Sequence, residues 1–143
     1  DVCSSDLHGL SRRQEWEGPA QPGSLPFETL VDDADLAAEL MALRPHLQAL
    51  FGTDFERQRW LIRHADALIE VALDQGDIHV PGTSLREPIL ELELELRSGP
   101  ESALLKLAEV LRQTPQGPLA LTPSDTSKAQ RGMALWQQAC QNR

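Results

Sequence analysis

Three stretches in the middle of the chain alternate between charged and apolar positions, the period-two pattern of a β-strand with one polar and one apolar face. They are residues 55–64, 68–74 and 89–97. The alternation is strictest in the third, where Glu91, Glu93 and Glu95 are separated by leucines. A turn at residues 75–77 and a short strand at 78–80 are expected to continue the second stretch as a hairpin. The pattern therefore predicts an antiparallel sheet with one charged face.

Apolar residues at helical spacing predict helices on both sides of these strands. The expected helices cover residues 36–43, 46–51, 98–111 and 125–141. Asp33 or Asp35 can cap the first, Pro45 suits the first turn of the second, and Ser124 can cap the last. Because strands and helices occur in separate runs, we predict an α+β fold.

The composition is that of an ordinary globular domain with an excess of acids. The 143 residues include 13 Lys+Arg and 22 Asp+Glu, a formal net charge of −9. The acid excess argues against general nucleic-acid binding, and no apolar run approaches the roughly 18 residues that a bilayer span needs. The two cysteines, Cys3 and Cys140, form no disulfide framework. We therefore expect a cytoplasmic protein that binds neither nucleic acid nor membrane.

The first seven residues, DVCSSDL, have no periodicity and no apolar face. The same letters arise when one reading frame of a common sequencing adapter is translated. We interpret residues 1–7 as a sequencing artefact rather than as an ordinary flexible N-terminus. The segment that follows, residues 9–17, offers a short strand with Arg13 and Glu15 on one side.

The charged strand faces have two interpretations. Same-face neighbours on a strand lie about 7 Å apart, where two like charges repel by roughly 0.6 kcal/mol in water. A solvated face can therefore carry three glutamates at small cost. Alternatively, the charged faces of all strands line one cavity, in which carboxylates hold a hard divalent cation and arginine forks hold phosphate oxygens. The second interpretation favours metal-assisted phosphoryl chemistry.

Four segments in order resemble the CYTH superfamily, in particular its bacterial inorganic triphosphatases, which carry a CYTH domain followed by a CHAD helical domain. They are LFGTDFERQRWLI, LIEVALDQGDI, EPILELELELRSG and TSKAQRG. The resemblance implies a triphosphate tunnel metalloenzyme with Mg²⁺ or Mn²⁺ as cofactor and inorganic triphosphate as substrate. For this chain it implies a partial antiparallel β-barrel with flanking helices. Within the fold, a class IV adenylate cyclase or a thiamine triphosphatase is the alternative. Outside it, the alternative is a non-catalytic polyphosphate-binding or interaction module.

The matching motifs carry the family's site roles onto individual residues of this chain. The implied substrate ligands are Arg13, Arg57, Arg59, Lys128 and Arg131. The implied metal-binding and catalytic carboxylates are Glu91 and Glu93. The implied tunnel-lining residues are Glu15, Glu70, Asp74 and Glu95.

One family hallmark is missing, because no Glu-x-Glu-x-Lys strand precedes Arg13. We therefore expect residues 8–132 to be the C-terminal part of a CYTH domain, with about half of the tunnel wall absent. Residues 133–143 are expected to be the end of a final helix that leads toward a missing CHAD domain. The full-length parent is expected to hydrolyse triphosphate, whereas the 143 residues alone are expected to be inactive.

Overall fold

The computed structural model describes residues 16, 18–21, 23–113 and 121–142. The chain divides into two compact units, Asp1–Ala49 and Leu50–Arg143. In the first unit the helices are α1 (Phe27–Leu30) and α2 (Ala34–Leu43). In the second, the elements are β1 (Gly52–His64), β2 (Ala67–His79), β3 (Arg86–Ser98), α3 (Glu101–Arg112) and α4 (Lys128–Gln141). The predicted strand at residues 9–17, with Arg13 and Glu15, lies outside the described residues.

Helix α2 is capped by Asp33, one of the two residues that the sequence predicts, and begins at Ala34, two residues before the expected start. The Asp33 carboxylate accepts hydrogen bonds from the backbone N–H groups of Asp35 and Leu36, at 3.1 and 3.0 Å, and so caps the helix. The predicted helix over residues 46–51 is wrong. Only a single 3₁₀ turn, Arg44–His46, follows α2, and Leu47 then adopts an extended backbone conformation.

The three strands form one antiparallel sheet in the order β1-β2-β3. Ala65 and Asp66 connect β1 to β2 in a two-residue turn, and both have positive φ, 46° and 61°. Two left-handed residues match the twist of the flanking strands, as a tight hairpin requires. Among the described residues the sheet is open, with β1 and β3 at its edges. The α+β class and the antiparallel sheet are therefore confirmed.

The predicted hairpin at residues 75–77 is wrong, because β2 continues through this segment without a turn. Gly76 pairs with Phe55 on β1 and with Ile89 on β3. A Cβ atom at Gly76 would lie 2.5 Å from the Cα of Phe55 and closer still to the backbone oxygen of Asp54. The glycine therefore allows close approach of the neighbouring strand instead of reversing the chain.

Helix α4 lies across the charged face at one end of the sheet. Its apolar side packs into a buried cluster formed by Ile78, Val80, Ile89, Leu135 and Ala139, with Phe51, Leu85 and Trp136 around it. Ile78 and Ile89 share a strand face with Asp74 and Glu91, since each pair is separated by an even number of residues. Packing of these apolar residues therefore brings the start of α4 to the charged residues.

The start of α4 differs from the prediction of a helix beginning at Asp125. Ser127 is the N-cap: its hydroxyl accepts from the backbone N–H of Gln130, and the Gln130 side chain accepts from the backbone N–H of Ser127. This reciprocal capping box fixes the first turn, so Lys128 is the first helical residue. Helix α3 contacts β3 and β2 and buries Ala103, Leu104 and Leu107. In the described part of the chain, no helix is long and apolar enough to cross a bilayer.

Candidate functional site

The strand register places the charged residues on one face of the sheet. Asp74 on the central strand pairs with Arg57 on one side and with Glu91 on the other. The next row joins Arg59, Ala72 and Glu93, and the row after it joins Leu61, Glu70 and Glu95. Sequence positions far apart in the chain therefore meet in three parallel rows, and this surface is the charged face.

Asp74 is a fully buried carboxylate at the centre of this face. Arg57 donates to both of its oxygens, from Nε to Oδ1 and from Nη2 to Oδ2, each at 2.6 Å. These hydrogen bonds hold the pKa of Asp74 below its usual range, although burial opposes the shift. In return, Asp74 holds the pKa of Arg57 above its usual range. The pair is therefore ionised at neutral pH.

Lys128 reaches the same carboxylate from the first turn of α4. Its Nζ lies 2.7 Å from Asp74, 2.7 Å from Glu91 and 2.6 Å from Glu93. Burial is the largest single influence on the pKa of Lys128 and lowers it, but the hydrogen bonds to the three carboxylates outweigh burial and hold the pKa above its usual range. One ammonium group thus bridges β2 and β3.

Arg131 follows Lys128 by three positions and lies on the same side of α4. Its Nε donates to Glu87 at 2.6 Å, its Nη1 donates to Glu91, and its Nη2 donates to the backbone oxygen of Pro88 at 2.6 Å. The sequence interpretation did not include Glu87. Its even spacing from Glu91 was the available signal, but the predicted strand began at residue 89, after Pro88.

The other predicted site residues lie toward the opposite end of the face. Arg97 contacts Glu70 and Glu95, each at 2.8 Å, and forms a separate ion cluster there. Arg59 is exposed and makes no hydrogen bond or ion pair within the described ranges. The structure therefore gathers six residues into one group, which we call the central group: Arg57, Asp74, Glu91, Glu93, Lys128 and Arg131. Arg59, Glu70 and Glu95 lie beyond it. Arg13 and Glu15 lie outside the described residues.

Three acids of the central group have the geometry of a cation site. One oxygen from each of Asp74, Glu91 and Glu93 lies within 4.8 Å of the other two. Carboxylate oxygens are hard ligands of the kind that Mg²⁺ and Mn²⁺ prefer, so this donor set fits either ion. The sequence interpretation placed Glu91 and Glu93 at the metal and gave Asp74 only a lining role. The central strand in fact brings Asp74 into the same set.

The fold and the site define a class of protein: an α+β domain in which arginines and a lysine are interleaved with carboxylates on one face of an antiparallel sheet. The CYTH domain family model matches residues 4–132, which is most of the chain, and the chain therefore belongs to the CYTH family. It is 40% identical over 136 residues to an inorganic triphosphatase of Haemophilus influenzae. That match covers 90% of this chain and 34% of the Haemophilus protein, so the chain spans about a third of its relative's length.

Proposed function

We propose that this chain supplies the C-terminal part of the active site of a metal-dependent inorganic triphosphatase. The observation that carries the proposal is the single group in which the oxygens of Asp74, Glu91 and Glu93 lie within 4.8 Å of one another beside two arginines and a lysine. The name of the Haemophilus relative supports inorganic triphosphate as the substrate. We propose residues 8–132 as the C-terminal part of the CYTH domain, and residues 133–143 as the end of a helix leading toward a CHAD domain.

The acids of the central group would hold Mg²⁺ or Mn²⁺. When bound, such an ion neutralises charge on phosphate oxygens and lowers the pKa of a bound water. Glu91 and Glu93 are the proposed catalytic carboxylates. Their side chains are 23% and 45% exposed, whereas Asp74 is fully buried, so Asp74 would offer one oxygen to the ion and also fix the neighbouring cations.

The basic residues would hold the phosphate chain. Asp74 fixes the guanidinium of Arg57 through Nε and Nη2. Its Nη1 makes no hydrogen bond to another described residue, so this edge can meet a phosphate oxygen with little further loss of side-chain entropy. The other proposed phosphate ligands are Arg13, Arg59, Lys128 and Arg131. The proposed residues that line the tunnel are Glu15, Glu70, Asp74 and Glu95.

The 143 residues contain no Glu-x-Glu-x-Lys strand before Arg13. In the proposed tunnel such a strand would pair into the open sheet and add further charged groups. We therefore propose that this chain alone binds a divalent ion but does not hydrolyse triphosphate. A cytoplasmic location, and the absence of nucleic-acid and membrane binding, stay predictions.

A chimeric protein tests the proposed activity. Residues 8–132 replace the matching segment of the Haemophilus triphosphatase, and phosphate release from tripolyphosphate is measured with Mg²⁺. We expect turnover, and we expect Glu91→Gln with Glu93→Gln to lower kcat at least about a hundredfold while anion binding persists. Glu109→Gln, an exposed position on α3, is the matched control and should leave kcat unchanged.

Two outcomes would count against this function. A folded chimera that binds tripolyphosphate but releases no phosphate would favour the non-catalytic polyphosphate-binding module. A double variant that retains full turnover would remove Glu91 and Glu93 from the catalytic site.

A further inference from the structure

The ammonium group of Lys128 occupies the point at which the three-acid cation site would hold its ion. It contacts Oδ2 of Asp74, Oε2 of Glu91 and Oε1 of Glu93, one oxygen from each acid, at 2.6–2.7 Å. A divalent ion that took those same oxygens would lie closer to them and would overlap Nζ. The ammonium and the ion therefore cannot share the site.

We propose that Lys128 is an internal counter-ion that the metal displaces, and that the displaced ammonium then becomes a ligand of the phosphate chain. The inference rests on the proposed function, because it takes the three acids as the metal site. It adds a regulatory property to that site, since metal binding would have to precede or accompany binding of the triphosphate.

The charges around the cluster supply the reason. Asp74, Glu87, Glu91 and Glu93 are four carboxylates, and their cationic partners are Arg57, Lys128 and Arg131. Four negative charges against three positive ones leave the group with a net negative charge, and all three cations are held by carboxylates. The net negative charge opposes binding of a polyanion, even though Nη1 of Arg57 makes no hydrogen bond to another described residue. A divalent ion would make the group net positive and would free the Lys128 ammonium.

The Phe55 ring lies beside both cations, so it can still hold the ammonium after the carboxylates release it. Nζ of Lys128 lies 5.2 Å from the centroid of the Phe55 ring, and Cζ of Arg57 lies 5.5 Å from the same centroid. The ring face attracts both cations and keeps them near each other when the carboxylates are taken by a metal. The capping box of Ser127 and Gln130 fixes the backbone of Lys128, so only its side chain has to move. A pair of cations beside the metal is a suitable ligand set for one phosphate group.

Manganese binding to the 143-residue chain tests the displacement without any turnover. Mn²⁺ is titrated into the wild type and into Lys128→Met with no phosphate present, and the concentration of free Mn²⁺ is measured by electron paramagnetic resonance. We expect Lys128→Met to bind Mn²⁺ at least about tenfold more tightly, because the competing charge is gone. Lys106→Met removes the same charge from α3, away from the site, and should not change the affinity. Arg131→Met removes a charge beside Glu91 without emptying the cluster and should produce a smaller gain.

The same titration with inorganic tripolyphosphate tests the second half of the inference. Tripolyphosphate itself chelates Mn²⁺, so the Mn²⁺ that the anion binds without protein is measured and subtracted. The anion should then tighten Mn²⁺ binding to the wild type. The ratio of the affinities with and without the anion should be at least about threefold smaller for Lys128→Met, which has no ammonium to offer the phosphates. Equal Mn²⁺ affinities for the wild type and Lys128→Met would overturn the displacement while leaving the metal site standing. Failure of both proteins to bind Mn²⁺ would instead overturn the metal site and the proposed function with it.

A measurement on the unmodified protein tests the displacement without relying on a variant that folds. The side-chain Cε and Hε resonances of Lys128 are followed by nuclear magnetic resonance during a Mg²⁺ titration. We expect them to shift in proportion to metal binding, while those of Lys106 stay constant. Mg²⁺ binding that leaves the Lys128 resonances unchanged would show that the ammonium stays with the acids, and the inference would be wrong.

Discussion

Replacing Asp74 with asparagine tests the central claim that this buried carboxylate holds the charged face together. Asp74 is fully buried on the middle strand and receives two hydrogen bonds from Arg57 and one from Lys128. Asparagine has nearly the same shape but only one acceptor oxygen. Its amide N–H₂ would face donors, so at least one of the three hydrogen bonds would be lost, and the negative charge beside both cations would be removed.

The expected loss follows from the partners that remain. Removing one member of a buried ion pair typically costs about 3–5 kcal/mol. The side chain of Arg57 is 35% exposed and keeps Glu93, and Lys128 keeps Glu91 and Glu93, so both cations stay partly compensated. We therefore expect Asp74→Asn to lower the free energy of unfolding by about 2–3 kcal/mol at pH 7. Urea denaturation followed by circular dichroism measures the change.

Glu95→Gln is the matched control. It removes one carboxylate from the same sheet face, but that side chain is 57% exposed and its partner is Arg97. A change within about 0.5 kcal/mol is expected for an exposed pair of this kind. If Asp74→Asn were no more destabilising than Glu95→Gln, the ion pairs of Asp74 would not stabilise the fold.

The pH dependence of the Asp74→Asn effect provides a second check. Hydrogen bonds from Arg57 hold the pKa of Asp74 in the folded protein below its value in the unfolded chain, which is about 3.9. A depressed carboxyl pKa contributes stability that is fully present above the unfolded value and is lost as the pH falls through the folded value. The difference between wild type and Asp74→Asn should therefore be constant above about pH 5 and shrink in more acidic solution. A difference that stayed constant down to pH 2 would contradict the assignment.

Three substitutions test the packing that positions the site, each by urea denaturation. Gly76→Ala should destabilise the protein by at least about 2 kcal/mol, since its Cβ would overlap the backbone of β1, and rapid amide exchange along β1 should accompany the loss. Ser127→Ala should cost about 1 kcal/mol and Ser124→Ala much less, because Ser127 caps α4; the reverse order would contradict the cap. Gly132→Ala should cost about 1–3 kcal/mol, because the added Cβ would overlap the Phe51 ring, and an unchanged stability would contradict this helix position.

The strands and the shared charged face could be predicted because alternation is a local property of extended backbone. The period of two assigns each residue to a face without any knowledge of its neighbours. Placing Arg57, Asp74 and Glu91 on one face needed only antiparallel strands with their charged faces aligned. The row that the three residues share depends on the strand register, which for β1 and β2 is set by the turn between them. The two-residue turn at Ala65 and Asp66 was not identified, since neither residue is the glycine or asparagine that usually marks left-handed turn positions.

The errors arose where the deciding contact comes from another part of the chain. Gln75-Gly76-Asp77 is typical of a turn when read locally, and only the backbone of β1 shows why glycine is needed within the strand. Ser124 and Ser127 are both suitable caps by residue type. Gln130, three positions after Ser127, was the local signal that separates them.

The partners of Lys128 depend on tertiary packing and could not be deduced from spacing. Its motif resembles a family segment whose lysine is a phosphate ligand, and that role stays a proposal. The ammonium lies among three carboxylates because Leu135 and Ala139 pack against Ile78 and Ile89 and so position α4. Tertiary packing of apolar side chains thus determines which ions meet on the charged face.

The proposed three-carboxylate cation site has to remain folded when no metal is present. Asp74, Glu91 and Glu93 converge within a few ångströms, and Asp74 has no access to water, so without cations their mutual repulsion and desolvation would oppose packing of the strands. Arg57, Lys128 and Arg131 supply those cations from β1 and α4. If the metal displaces the Lys128 ammonium as proposed, the same contacts that stabilise the metal-free sheet weaken metal binding. Stability without metal and affinity for metal are therefore opposed at Lys128, and a substitution there should shift the two in opposite directions.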